Sequence, residues 1–348
     1  MDFQENICLG AMTTLQVGGP ARYFAESKSA EDARIAVEFA RSRDLPIFVL
    51  GGGSNVVIAD SGWPGLVLKI GIRSLERSTE GDTTIFEVGA GMDWDKLVAM
   101  TVAENCAGLE CLSGIPGSVG ATPVQNVGAY GQEVADTIDS VLVLDRKDMQ
   151  LRELCKEACG FAYRQSIFNT DARDRFIILR VSYRLTPEGQ PQIKYADLQK
   201  YFSGWTSTPT LSETREAVRQ IRASKGMLIR PGDDDCRSVG SFFKNPVLTE
   251  TQLQDIQHRA AVRNLNVPSY PALAAHHKIS AAWLVEHSGF ARGYTEGAVG
   301  ISRKHALAIV NRGRARAADI VAFQEQIRER VDQVWGISLE PEPVFVGF

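Results

Sequence analysis

Two glycine-rich segments carry the residues best suited to chemistry: Leu50-Gly51-Gly52-Gly53-Ser54-Asn55 and Ser113-Gly-Ile115-Pro116-Gly117-Ser118-Val-Gly120. Glycines let successive backbone N–H groups approach a diphosphate, because no side chain intervenes and positive φ is free. Ser54, Asn55 and Ser118 add neutral donors, so such loops can hold a pyrophosphate without lysine or Mg²⁺, as a tightly bound dinucleotide requires. A third run, Gln125-Asn126-Val-Gly128-Ala129-Tyr130-Gly131, follows closely. Either of the first two loops alone reads as an ordinary turn; the three together point to a diphosphate site.

Other common sites fail on spelling. No G-x-x-x-x-G-K-[ST] occurs, which excludes a P-loop of the usual form. Gly89-Ala-Gly91-Met-Asp-Trp94 places tryptophan where a dinucleotide fingerprint needs its third glycine. There is no H-E-x-x-H, and Pro116 stands where a nucleophile elbow needs glycine before Ser118. The histidines share no metal-ligand spacing. The six cysteines include no C-x-x-C pair, so zinc and dithiol chemistry lack their usual pattern, and the cysteines read as buried structural residues. Cys155 and Cys159 are spaced for one helical face.

The elements that would position these loops are legible around them. Ser29-Ala-Glu-Asp32 resembles a capping box opening a helix with Ala33, Ala36, Val37 and Ala40 on one face. Strands are expected at 46–50, 67–70, 84–88, 140–144 and 176–183, and Asp93 is placed to cap a helix carrying Trp94, Leu97 and Val98. From Gly108 to Gly131 neither period persists, the sign of a functional loop system. Further helices are expected around 212–224, after the capping box Thr249-Glu-Thr-Gln252, at 280–287 with Gly289 as C-cap, and at the stripe Ile320, Phe323, Ile327, Val331 and Val334 ended by Gly336. A composition shift near Lys225 marks a domain boundary, followed by a Gly/Asp-rich loop at 226–240.

Composition sets the class. The 348 residues are 44% hydrophobic and 23% charged, an ordinary globular balance. Lys and Arg total 38 against 42 Asp and Glu, for a net charge of -4, so no basic surplus points to nucleic acid. No run reaches the ~18 apolar residues of a bilayer span, and the N-terminus has no signal-peptide pattern. A cytoplasmic monomer, with no membrane and no nucleic-acid partner, is the expectation.

The order of Thr14-Leu-Gln-Val-Gly-Gly-Pro-Ala21, the two glycine loops, Gln125–Gly131, Tyr163-Arg164-Gln-Ser166, Gly240-Ser241-Phe-Phe-Lys-Asn245-Pro246 and Leu339-Glu340-Pro-Glu342 resembles the UDP-N-acetylenolpyruvoylglucosamine reductase family, in its longer-loop type I form. The resemblance runs from about residue 10 to the C-terminus. It implies an α+β fold: a bipartite FAD-binding region of the vanillyl-alcohol-oxidase (PCMH) type, then a smaller α/β substrate domain. The corresponding division is 1–70 and 71–224 for the two FAD-binding subdomains, 225–336 for the substrate domain, and 337–348 for a segment returning to the active site. The implied cofactors are FAD and NADPH, and the implied partner is a UDP-sugar. In the reaction the resemblance implies, NADPH reduces an enolpyruvyl ether to a lactyl ether, hydride passing through flavin N5 to the substrate's methylene carbon, in peptidoglycan precursor synthesis.

The resemblance also assigns residues. FAD would be held by Leu50, Gly51, Gly52, Gly53, Ser54, Asn55, Ile115, Pro116, Gly117, Ser118, Gly120, Asn126, Gly128, Ala129 and Ile178. Arg164 and Glu342 would stabilise enolate charge, and Ser241 would protonate the carbanion-like intermediate. Glu342 must carry a proton to donate, which requires a raised pKa. Pro343 follows it where the family usually has valine, so Glu340 is the fallback. Tyr130, Tyr195, Lys225, Asn245, Tyr270, Lys278 and His305 would contact the substrate, His305 as a polar contact rather than a base. Outside the resemblance, Arg164 reads as a surface ion-pair residue, Ser241 as a turn residue and Glu342 as a solvated carboxylate.

Overall fold

A computed structural model describes residues 1–230, 232–272 and 275–348. The chain packs as two units: residues 1–7, 21–53 and 63–224 form the first, and residues 8–20, 54–62 and 225–348 the second.

Two larger sheets build the first unit. One has the strand order Gln4–Cys8, Pro20–Ser27, Trp63–Ile70, Ile47–Leu50, the last three mutually parallel. Helix α1 (Ala30–Arg41) starts where the sequence predicts: the Ser29 hydroxyl accepts from the Asp32 N–H at 3.0 Å, and Ala33, Ala36, Val37 and Ala40 are buried. The other sheet is antiparallel, in the order Leu151–Cys155, Ile138–Asp145, Phe176–Pro187, Thr83–Gly89, Leu75–Glu80, and Cys106–Ala107 also pairs with Phe176–Pro187. Helix α2 (Trp94–Ala103) is capped by Asp93, which accepts from the Lys96 N–H at 2.8 Å. Helices α3 (Ala196–Tyr201) and α4 (Leu211–Ser224) enclose a small cluster of Tyr130, Leu198, Phe202, Ala217 and Val218. Thr210 and Glu213 cap α4 reciprocally, a signal the sequence reading passed over.

The second unit packs helices α5 (Glu250–Ala261), α6 (Ala281–Glu286) and α7 (Ala317–Trp335) with short strands around Phe242, Phe243, Phe323 and Trp335. Thr249 and Gln252 form the expected capping box. Leu15, Val17 and Val57, distant in sequence, belong to the same core. Strand Val344–Val346 pairs in parallel with Val56–Ile58.

Three local expectations are corrected. Helix α6 ends on His287, at φ -85°, while Gly289 turns the chain two residues later at φ 103°. The stripe of α7 is completed by Trp335 rather than Val334, which is half-buried; Gly336 ends the helix at φ 70°. Cys155 closes an exposed strand end and Cys159 lies buried in a 3-10 turn, so they share no helical face.

Candidate active site

In the first unit the two glycine loops lie against each other. A Cβ on Gly52 would fall 2.5 Å from Gly117 Cα, and one on Gly51 would fall 3.0 Å from the Ser118 hydroxyl. Among the described residues, the N–H groups of Gly51, Gly52, Gly53, Gly117 and Ser118 donate to no group of the chain. Five backbone donors at two touching loops are the donor set a flavin dinucleotide's pyrophosphate needs, so these residues fit FAD. The close approach adds a second reason for glycine that spacing alone did not show. Leu50, buried, ends the strand that launches the first loop, and Gly120 packs on Ala90. Ile115 and Pro116 are half-buried in the second loop, and Ile178 is buried in the antiparallel sheet. Ser54 and Asn55 belong to the second unit.

The third loop is built differently. Gly128–Ala129 pairs with Gln132–Glu133 in a hairpin whose turn residues, Tyr130 and Gly131, have φ of 50° and 86°. Asn126 is buried and its amide is committed to the chain: Nδ2 donates to Glu133 Oε2 (2.7 Å) and Ala162 O (3.0 Å), and Oδ1 accepts from Ala135 N (3.1 Å). Its side chain therefore serves as a brace.

That brace also positions Arg164. Ala162 and Gln165 exchange backbone hydrogen bonds around the two-residue turn Tyr163-Arg164, and Arg164 takes φ 58°. The turn is tied to the third loop by Asn126, and by the Ser166 hydroxyl, which donates to Val124 O at 2.6 Å. Tyr130 meets the exposed Tyr195 edge-to-face at 5.5 Å. Tyr130 also hydrogen-bonds Arg222, a buried residue the sequence reading left unassigned, whose Nε donates to Gly114 O at 3.1 Å. Asp95 is a second omission. It accepts from Gly114 N and pairs with Arg215 and Arg219. Burial pushes its carboxyl up, but the Arg215 hydrogen bond and the backbone and charge contacts hold it below the usual range. Both lie on helices and read from sequence as ordinary surface charges; only their convergence on Gly114 distinguishes them.

In the second unit, the segment around Ser241 pairs with the C-terminal segment. Lys244 N donates to Glu340 O (3.0 Å) and Glu342 N to Phe242 O (2.8 Å), while Phe243 faces Pro341. Ser241 and Glu342, about a hundred residues apart in sequence, are thus brought to neighbouring rungs. Pro341 and Pro343 occupy the alternate positions, and the next donor used is Val344 N, to Asn55 O at 3.0 Å. The missing proline N–H groups therefore cost the pairing nothing. Glu340, the fallback to Glu342, is 70% exposed and ion-pairs with Lys244 at 2.5 Å.

The remaining predicted contacts form two groups. Lys278 sits opposite both Tyr270 and Val247 in a three-stranded ladder, and nearby Asn245 Oδ1 accepts from Ala281 N at 2.9 Å at the start of α6. Lys225 lies beside His305 and, with Arg292, adds to the burial that pushes the His305 pKa down to about 4. His305 Nδ1 accepts from Leu307 N at 3.2 Å, so the neutral ring carries its proton on Nε2 as a donor. The loop 226–240, unplaced by sequence, is anchored by ion pairs of Asp233, Asp234 and Asp235. Among the described residues no group of three or more His, Cys, Asp or Glu is arranged to hold a metal, and no helix is long and apolar enough to cross a membrane.

Comparison with known proteins agrees with this geometry. A family model described as the C-terminal domain of UDP-N-acetylenolpyruvoylglucosamine reductase matches residues 231–346, and an FAD-binding domain model matches residues 21–153. The chain is 44% identical to UDP-N-acetylenolpyruvoylglucosamine reductase of Thermobifida fusca (strain YX), over 99% of this chain and 98% of that protein. It is 45% identical to the enzyme of the same name from Salinispora arenicola (strain CNS-205), over 97% and 94%. The chain belongs to the UDP-N-acetylenolpyruvoylglucosamine reductase family. The crystal structure of UDP-N-acetylenolpyruvylglucosamine reductase from Thermus caldophilus superposes with a TM-score of 0.67 at 25% identity, covering 99% of this chain and 100% of that one. As a member of this family, the chain is an FAD-containing oxidoreductase of peptidoglycan precursor synthesis that acts on a UDP-sugar, with FAD and NADPH as the family's cofactors. The α+β fold follows, an FAD-binding region preceding a reductase C-terminal domain.

Proposed function

We propose that this chain reduces the enolpyruvyl ether of a UDP-N-acetylglucosamine to the lactyl ether of UDP-N-acetylmuramate. The pairing of the Ser241 segment with the Glu342 segment is the observation that carries this reading: it brings side by side the two distant stretches that hold the hydroxyl and the carboxyl which reduction of a conjugated enol ether needs. When bound, FAD supplies to the substrate's methylene carbon a hydride taken from NADPH. Negative charge then develops on the neighbouring carbon and its carboxylate. Arg164, half-buried on its turn, presents a planar, always-charged fork to that carboxylate. Glu342 stabilises the same charge, and Ser241 delivers the proton that completes the lactyl group. His305, neutral, donates a hydrogen bond from Nε2 to the UDP-sugar, with Lys225 supplying positive charge. Asn245, Tyr270 and Lys278 complete the polar contacts, and Tyr195 caps the diphosphate.

The test separates the half-reactions anaerobically. NADPH should bleach the visible flavin band of the wild type, and enolpyruvyl-UDP-N-acetylglucosamine should restore it. Ser241→Ala should bleach normally but recover several orders of magnitude more slowly. Unchanged recovery in that variant removes the proton-donor role, and a wild type that bleaches without recovering removes the substrate.

A further inference from the structure

The three consecutive aspartates at 233–235 each take a different cation: Asp233 pairs with Lys304 (2.5 Å), Asp234 with Arg237 (2.8 Å) and Asp235 with Arg312 (2.8 Å). Two of these partners mark opposite ends of one hairpin, formed by strands Val299–Ile301 and Ile309–Asn311. Lys304 lies at its tip, next to His305. Arg312 follows its base, where its N–H donates to Ala298 O, and its side chain runs back along the strands so that the second Nη donates to Ile301 O, on the tip-side rung, at 2.7 Å. The tip also touches the start of the aspartate loop: a Cβ on Gly226, which has φ +66°, would lie 3.2 Å from Lys304 Cδ. The Ser241 segment pairs with the hairpin's second half, through the Ser238 bridge to Val310 and the bond from Phe242 N to Leu307 O at 2.8 Å.

We propose that Asp233 and Asp235 are positioning residues with separable effects: Asp233, through Lys304, sets the tip that carries His305 against Lys225, and Asp235, through Arg312 and its bond to Ile301 O, holds together the paired strands along which the Ser241 segment is aligned. The inference rests on the roles given above to Ser241, His305 and Lys225. Asp233 and Lys304 are partly exposed, whereas the Asp235 and Arg312 side chains are 4% and 13% exposed. Loss of the outer pair therefore loosens a binding contact, and loss of the inner pair leaves a buried charge uncompensated in the hairpin that the Ser241 segment pairs with.

The experiment uses FAD-loaded enzyme and measures two constants: the dissociation constant for enolpyruvyl-UDP-N-acetylglucosamine, by flavin-band titration, and the saturating rate at which pre-reduced enzyme is reoxidised by it. Asp233→Asn and Lys304→Met should each weaken binding about tenfold with the saturating rate within twofold of wild type, and Lys304→Arg should return binding to within threefold. Asp235→Asn should slow the saturating rate at least tenfold with binding within threefold; Arg312→Met is read in the same way if Asp235→Asn does not retain flavin. Unchanged binding in Asp233→Asn and Lys304→Met overturns the outer arm. An unchanged rate, or a parallel loss of both constants, in the inner-pair variant overturns the inner arm. Ser241→Ala is run alongside: normal reoxidation there defeats the proton-donor reading itself, whereas slow reoxidation there with a normal rate in Asp235→Asn defeats only the positioning.

Discussion

Arg164 takes a backbone conformation that arginine does not favour. At φ 58° its Cβ crowds the following carbonyl, a cost of roughly 1–2 kcal/mol that glycine avoids. Glycine at this position would relieve that strain and lose about 0.5–1 kcal/mol to the freedom it adds to the unfolded chain. The two nearly cancel, so Arg164→Gly should leave the unfolding midpoint within a few degrees while turnover collapses. Destabilisation by more than about 2 kcal/mol in a denaturant titration would show that the guanidinium holds the fold instead. His305 carries the opposite kind of signature. Its folded pKa, about 4, lies below the ordinary imidazole value, so between pH 6.5 and 4 the unfolded chain takes up a proton that the folded one does not. Its contribution is intact above pH 6.5 and is lost as pH falls to about 4. His305→Gln should therefore flatten the acid side of the stability curve by up to one proton of uptake, and an unchanged slope in urea titrations across that range contradicts the neutral assignment.

At the scale of elements, the caps were legible because they are local. Ser29, Asp93, Thr249 and Ser280 each accept from an N–H three residues ahead, and spacing alone announces that. What lies between the elements was less legible. The aspartates at 233–235 marked only a Gly/Asp-rich loop, because the partners of Asp233 and Asp235, Lys304 and Arg312, lie more than 70 residues away and are chosen by tertiary packing. The bracing bonds of Asn126 were hidden for the same reason: its three partners sit on segments that sequence does not show to be adjacent. The glycine loops were found by type, yet half of their purpose, the contact of Gly52 with Gly117, appears only when both are folded. Because that contact leaves no room for a methyl group, Gly52→Ala should push the loops apart and weaken FAD retention at least tenfold, measured as flavin absorbance per protein after gel filtration. Full flavin content in Gly52→Ala would show that the loops tolerate separation, and that their glycines are there for the cofactor alone.

At the scale of the whole molecule, the boundary read near Lys225 marks only the last of several passages between units. The second unit also claims residues 8–20 and 54–62, so it is not one continuous piece of chain. Spacing cannot show this, because the pairing of Val56–Ile58 with Val344–Val346 spans nearly the whole sequence and leaves no local mark. The consequence is a definite prediction for a fragment comprising 225–348. It would lack the strand on which Val344–Val346 forms, and Leu15, Val17 and Val57, all 3% exposed or less, would vanish from its core. Deleting a single large buried side chain costs about 2–5 kcal/mol, and a domain's whole stability is about 5–15 kcal/mol. Losing three buried side chains and a strand together exceeds what a fragment of this size can absorb. It should show no cooperative thermal transition by circular dichroism, and co-expression with residues 1–224 should restore one. A sharp transition in the isolated fragment would mean that the N-terminal segments decorate this unit rather than complete its core.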